Sequence, residues 1–277
     1  MNELIFNKLI GVDVHHAAAN RAQVLGLGSI LQDAIIAWQP HKRTKTNLKK
    51  NWKKYICRTT ESQPLAIWGS GFIQGDFYRL RPYRPLEVLA LRGKLSLSIL
   101  ESAIGQPLHD VVLGDPGLLI SRLFDNHIVP KRYKLGIIPH YSDANNPLIE
   151  DIIQANNGCH RINILDKPNV VIADIAQCER IVSTALHGLI AADSLGIPNR
   201  WIKVSDEVRG RGFKFHDYYS TFGITTEAID MRTKNDKKID LDDVFYENIV
   251  DIQRVKNIAD QLLEVMKRYL QNQKYIE

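Results

Sequence analysis

Only three cysteines, Cys57, Cys159 and Cys178, occur in 277 residues, and no Cys-x-x-Cys spacing joins them. The odd count and wide separation argue against a disulfide framework and against a cysteine zinc site, leaving small buried hydrophobes as their role. Long apolar runs are missing too. The longest, such as Leu95 to Leu100 and Leu186 to Ala192, fall far short of the roughly 20 residues that span a bilayer. Met1-Asn2-Glu3 is not a basic-then-apolar targeting start, so the chain is expected in the cytoplasm. RRM, KH and zinc-finger patterns are absent, which gives no reason to expect a nucleic-acid partner. Internal repeats are absent as well.

What is present is a 44% hydrophobic composition, enough for one large core or two medium ones. The formal net charge of +5 is uneven. Lys42, Arg43, Lys45, Lys49, Lys50, Lys53, Lys54 and Arg58 share one acid-free segment, and without those eight the remainder carries −3. Such a run is either a solvated face or a seat for an anion, whether a phosphate or a membrane surface.

Short apolar runs ending in glycine or polar residues alternate with helical patterns, the rhythm of βα units around parallel sheets. In the first half Ala66-Ile67-Trp68 leads into Gly69-Ser70-Gly71, Glu87 to Leu91 into Arg92-Gly93, and His109 to Leu113 into Gly114-Asp115-Pro116-Gly117. Val24-Leu25 leads into Gly28-Ser29 in the same way. After Pro130, a candidate boundary, strands are predicted at Lys134 to Ile138, Arg161 to Leu165, Arg180 to Ser183 and Arg200 to Val204. The expected division is 1–129, 130–245 and a terminal helix in 246–277. Ile249, Ile252, Val255, Ala259, Leu262, Met266 and Leu270 recur at helical spacing, which predicts a long amphipathic helix. Thr233 to Asp243 reads as an exposed connector.

The most informative segment is Ile181-Val182-Ser183-Thr184-Ala185-Leu186-His187-Gly188, a strand ending in hydroxyl residues and a helix opening on histidine. Free N–H groups and the positive end of the helix dipole suit an anion there, with Ser183 and Thr184 as added donors. The plainer alternative is that Ser183 or Thr184 caps the helix and His187 packs. Gly69 and Gly71 either let backbone approach a ligand or make a tight turn. Asp115 and Asp143 are candidate bases, though aspartate after glycine is an ordinary turn residue.

The segment from Ile181 to Pro198 resembles the most recognisable stretch of the polysaccharide pyruvyltransferase family. Further matches follow in order: Gly28-Ser29-Ile30, Gly69-Ser70-Gly71, Arg92-Gly93 with Ser96, Gly114-Asp115-Pro116-Gly117, and Gly136 to Tyr141. Phe213-Lys214-Phe215-His216-Asp217-Tyr218-Tyr219 resembles the family's exopolysaccharide branch. The resemblance implies a GT-B-like α/β fold, two Rossmann-like domains facing across a cleft, with the acceptor on the first and the donor on the second. It implies transfer of a pyruvyl group from phosphoenolpyruvate to a sugar of a surface polysaccharide or its lipid-linked precursor, with no metal and no other cofactor. His187 and His140 are then the catalytic candidates. Gly69, Ser70, Gly71, Arg92, Ser183, Thr184, Leu186, Gly188 and Lys214 are the substrate-binding ones.

Two departures are visible. Ala185 stands where many members carry an arginine two residues before the motif histidine, which shifts the anion clamp to Arg92 or Lys214. The usual opening strand with Asn-x-Gly-Asp is replaced by Asn2-Glu3-Leu4, so either Glu3 substitutes for the aspartate or the first sheet is one strand short. The implied partners are phosphoenolpyruvate and a glycan or polyprenyl-diphosphate-linked oligosaccharide, with the basic run of residues 42 to 58 as a peripheral contact to the inner face of a membrane. A glycosyltransferase of the same architecture using a nucleotide sugar is the alternative.

Overall fold

The computed structural model describes residues 1–15, 22–37, 64–75, 80–82, 84–123, 129–240 and 250–276; the basic run and Cys57 lie outside them. Before Pro130 come helix α1 (Asn2–Ile5) and strands β1 (Val24–Leu25), β2 (Ile35–Ala37), β3 (Leu65–Ser70), β4 (Leu80–Pro82) and β5 (Leu86–Leu91). Helix α2 (Lys94–Ile104) and β6 (Val112–Leu113) follow. After it come β7 (Leu135–Ile138), α3 (Pro147–Ala155), β8 (Cys159–Arg161), α4 (Pro168–Ala176), β9 (Ile181–Ser183) and α5 (Leu186–Ser194). The chain continues with β10 (Asn199–Lys203), α6 (Phe213–Ser220), β11 (Ile229–Asp230) and α7 (Ile252–Asn272).

Two sheets organise these elements into a mixed α/β fold of Rossmann-like type. One has the order β1-β3-β5-β6 and the other β11-β10-β9-β7-β8, and every pairing in both is parallel. Strands stand at or beside each apolar run that predicted them. The expected strand at Arg161 to Leu165 ends instead at Arg161, because the Asn163 side chain accepts from Leu165 N–H and turns the chain. The run from His109 is strand only at Val112–Leu113, as Asp110 takes a φ of 60° that breaks the extension. The antiparallel pair β2 with β4 was not predicted.

Period-two alternation explains the layering. On β3, Ala66 and Trp68 share a core with Phe6, Leu262 and Met266, while Leu65 and Ile67 join Leu91 and Leu100 on the opposite face. The Trp68 indole N–H donates to Leu262 O at 2.8 Å, which fastens α7 across this sheet. In the second sheet Ile138 and Ile181 pack with Ile172 and Ile175 of α4, and Ile137 and Val182 with Ile149 and Ile152 of α3. The α7 stripe of Val255, Ala259, Leu262, Met266 and Leu270 is buried as its spacing predicts, whereas Ile252, expected on the same stripe, is exposed in the first turn; Ile249 falls outside the described residues, and Asp251 caps the helix by accepting from Gln253 N–H. Leu189 and Ile190 of α5 and Phe215 and Tyr218 of α6 enter the same apolar cluster as Trp68, so one core joins the two sheets.

The connector is exposed through residues 233–236, then Ile239 is buried where its N–H meets Asn156 Oδ1 at 2.9 Å. Among the described residues no helix is long and apolar enough to cross a membrane.

Asp193 of α5 lies in this shared core, accepting from Asn199 Nδ2 at 2.6 Å and from the Tyr218 hydroxyl at 2.7 Å. Burial pushes its carboxyl up to about 7, against the two hydrogen bonds that favour the anion. A raised acid pKa stabilises the fold fully below the unfolded carboxylate range, and that stability is lost as pH rises through about 7. Asp193→Asn should therefore flatten the pH dependence of stability between about pH 4 and 7, by a few kcal/mol at most. Denaturation midpoints of both proteins across that range check it; parallel curves would contradict it.

Candidate functional site

A pocket of about 220 Å³ gathers loops from the carboxyl ends of strands in both sheets. Ser29 comes from the loop after β1, His140 and Tyr141 from the turn after β7, and Ile164 and Leu165 from the loop after β8. Ala185, Leu186 and His187 come from the β9–α5 turn, and Lys214 from the first turn of α6. Ligand crevices in parallel α/β sheets lie outside these strand ends.

The β9–α5 turn presents a helix N-terminus to the pocket. Its N-cap is Ala185, with no side-chain cap, so the first-turn N–H groups of Leu186 and His187 have no intrahelical acceptor. Ser183 and Thr184 are not pocket donors. The Ser183 hydroxyl is fully buried and shared among Ile138 O, Ala185 O and Ala185 N at 2.8–2.9 Å, and Thr184 Oγ1 accepts from His140 N–H at 2.8 Å. They lock the turn and tie it to β7. Gly188 allows close packing, since a Cβ there would lie 2.7 Å from Ser183 Oγ.

His187 is partly exposed, and its Nε2 faces Asp115 Oδ2 at 3.7 Å. Asp115 is fully buried; its Oδ1 accepts from Gly117 N–H at 2.9 Å, while Oδ2 takes no hydrogen bond from any described residue. The turn role expected of Asp115 is real, and the second oxygen is aimed at the motif histidine. One ring nitrogen of His187 is thus directed inward, leaving Nδ1 for a ligand.

Lys214 supplies the cation. It is only 8% exposed, and among the described residues its ammonium forms no salt bridge. Burial lowers its pKa to about 8, helped by the nearby Arg92 charge and opposed by Asp143. His140 lies beside it. Its Nδ1 accepts from Ser142 N–H at 3.2 Å, which places the hydrogen of the neutral ring on Nε2. Burial first, then the charges of Lys214 and His187, lower its pKa to about 4, with Asp143 acting in the opposite sense. At neutral pH His140 is therefore a neutral hydrogen-bond donor.

Arg92 is placed differently from a substrate clamp. Its guanidinium is fully buried and paired with Asp217, Nε to Oδ2 at 3.0 Å and Nη2 to Oδ2 at 2.9 Å. Nη2 also donates to Phe72 O and Nη1 to Ser29 Oγ, each at 2.5 Å. Its influence enters the pocket through Ser29, whose Oγ accepts from Arg92 and keeps its own hydrogen to give. Gly69, Ser70 and Gly71 stand one layer behind the wall. A Cβ on Gly69, at φ 77°, would lie 2.3 Å from Pro116 Cδ, one on Gly71 would lie 2.4 Å from Arg92 Nη2, and Ser70 Oγ donates to Gly28 O at 2.9 Å. These residues pack the strand end against the Asp115 loop and Arg92. Glu3 is exposed on α1 and does not line the pocket. Ser29, Tyr141, Ile164, Leu165 and Ala185 are the lining residues absent from the expected site; of these Ser29, Tyr141 and Ala185 carried a signal, through the motifs that contain them.

The pocket of this α/β fold thus combines a helix N-terminus without a side-chain cap, two histidines and a lysine that forms no salt bridge among the described residues, a set of groups suited to an anion. The chain belongs to the polysaccharide pyruvyl transferase family, whose model matches residues 48–206, more than half of its length. It is 31% identical over 169 residues to the uncharacterized protein L143 of Acanthamoeba polyphaga mimivirus, covering 60% of this chain and 58% of that one. It is 25% identical over 202 residues to the succinoglycan biosynthesis protein ExoV of Rhizobium meliloti (strain 1021), covering 73% of this chain and 54% of that one. The chain thus spans somewhat more than half the length of these relatives. Among the described residues no three His, Cys, Asp or Glu side chains are grouped as metal ligands.

Proposed function

We propose that the chain transfers the pyruvyl group of phosphoenolpyruvate to two hydroxyls of a sugar in a surface polysaccharide or its lipid-linked precursor, in the cytoplasm. The observation that carries this reading is Lys214: a nearly buried ammonium that forms no salt bridge among the described residues, beside a bare helix N-terminus and two histidines. A phosphate and a carboxylate on one small molecule answer all of these groups. Family membership supplies the reaction, and the two parallel sheets fit a GT-B-like arrangement with the donor on the second.

The chemistry then follows. Phosphoenolpyruvate gains a proton on its methylene carbon, which becomes a methyl group, and the neighbouring carbon becomes cationic. Two sugar oxygens bond to that carbon as its bond to the phosphate oxygen breaks. Of the two hydroxyl protons released, one balances the proton spent on carbon and the other leaves with phosphate. His187, oriented by Asp115, is the general acid; His140, Ser29 and the α5 amides hold the anionic groups; Lys214 neutralises the departing phosphate.

Lys214 also sets a pH limit. Its charged form, present below about 8, is the one that holds the donor, so KM for phosphoenolpyruvate should rise as pH climbs past that value. Lys214→Met should raise KM about 10- to 100-fold at pH 7 and abolish this alkaline rise, the loss expected for one charge-assisted hydrogen bond. Steady-state kinetics from pH 6 to 9.5 decide it, and an unchanged alkaline limb in the variant would remove Lys214 from the donor site. Assaying a nucleotide sugar beside phosphoenolpyruvate separates this reading from the glycosyltransferase one.

A further inference from the structure

The two most exposed large apolar side chains among the described residues are Leu165, at 71%, and Tyr141, at 62%. Both line the one pocket that holds His140, His187 and Lys214. A single exposed leucine or tyrosine on a surface needs no explanation, but two beside Ile164 on a pocket that also holds Ser29, two histidines and a nearly buried lysine do. Each is presented by a built turn. Asp143 N–H donates to His140 O at 2.8 Å across the turn that carries Tyr141, and the Tyr141 ring lies against His140 with centroids 4.2 Å apart. Leu165 is raised by Asn163, which accepts from Leu165 N–H at 3.1 Å and donates to Asp166 Oδ1 at 2.9 Å.

We infer that Tyr141 and Leu165 form the acceptor subsite, a platform for the apolar C–H face of a pyranose ring. The inference rests on the proposed transfer for its orientation, since a sugar laid on this rim has its hydroxyls directed at the floor where His187 and Lys214 lie. The chemistry matches a sugar better than a lipid chain. A ring is apolar on its faces and hydroxylated at its edge, and the pocket sets the apolar Tyr141, Ile164 and Leu165 beside the polar Ser29, His140, His187 and Lys214. Tyrosine adds an O–H that can bond a sugar hydroxyl while its ring takes the C–H face.

The test uses octyl β-glucopyranoside below its micelle concentration, a probe that carries a pyranose at one end and an alkyl chain at the other. Saturation-transfer NMR on the full chain should mark the ring protons, and the signal should fall about tenfold in Tyr141→Ala and in Leu165→Ser while Tyr141→Phe retains most of it. Both positions are exposed, so thermal midpoints should stay unchanged and separate lost binding from lost fold. Transfer onto the octyl chain instead of the ring would assign the rim to lipid and overturn the inference, as would no transfer at all. The readout needs no phosphoenolpyruvate. Where turnover is measured, Leu165→Ser should raise KM for the glycan with KM for phosphoenolpyruvate unchanged, so a failed donor assay and a failed platform remain distinguishable.

Discussion

Replacing His187 by alanine is expected to lower kcat by about 10² to 10⁴, the contribution of a positioned general acid. The side chain is 38% exposed and lies at the first turn of α5, so its loss should leave the fold standing. His187→Asn separates binding from proton transfer, because an amide can hold a phosphate but cannot protonate carbon. Near-normal turnover in that variant would make the histidine a ligand only. Asp115→Asn extends the argument. Its Oδ1 is held by Gly117 N–H, which leaves the new amide NH₂ facing His187 Nε2. The imidazolium, and the neutral ring left once Nδ1 has given its proton, both carry a hydrogen on Nε2 that this amide opposes, so the ring is held neutral with its hydrogen on Nδ1 and the acid form is lost. Nitrogen-15 shifts of His187 should report this exchange, with a fall in kcat; identical tautomers in both proteins would show that Asp115 only caps its turn.

The second large effect concerns the buried pair Arg92–Asp217, which joins the β5 end to α6 across 125 residues of sequence. Asp217 also accepts from Ser96 N–H at 2.8 Å and from Ser96 Oγ at 2.6 Å, so one carboxylate holds both the arginine and the start of α2. Asp217→Ala leaves a guanidinium buried without its counter-charge and should cost about 3–5 kcal/mol. Out of a typical total of about 5–15 kcal/mol, that is enough to leave the protein partly unfolded at growth temperature. The double variant Arg92→Met with Asp217→Leu should recover much of the loss, since an apolar pair of similar volume is often neutral. Urea denaturation of the singles and the double measures the coupling; strictly additive losses would mean that the charges do not depend on each other.

Most strands of the parallel sheets were legible because each is a short apolar run closed by glycine or a polar residue, while β8 and β11 are not such runs; α7 was legible because its buried residues from Val255 to Leu270 keep helical spacing. The β9–α5 turn was legible for the same reason: hydroxyl residues, then histidine, then a helix ended by Gly196 and Pro198. Other roles were not, because they depend on partners far away in sequence. Nothing near Arg92 announces Asp217, and without that partner an arginine at a strand end reads as an anion clamp. Ser183 and Thr184 look like open donors until Ile138 O and His140 N–H are placed beside them. Gly69 and Gly71 carry the look of ligand approach, while the close approaches they permit are to Pro116 and Arg92. Leu165 carried no motif at all. An exposed leucine becomes informative only when the fold sets it at the mouth of the pocket.

The central claim is that the Lys214–His187 pocket consumes phosphoenolpyruvate. Its most direct test is phosphorus-31 NMR of the purified protein with phosphoenolpyruvate and the source organism's surface polysaccharide, stripped of ketals by mild acid. The enol-phosphate resonance should be replaced by inorganic phosphate, in equal amount to the pyruvate ketal gained by the glycan, and only when glycan is present. An unchanged phosphoenolpyruvate resonance, with nucleotide released from a sugar nucleotide in its place, would contradict it.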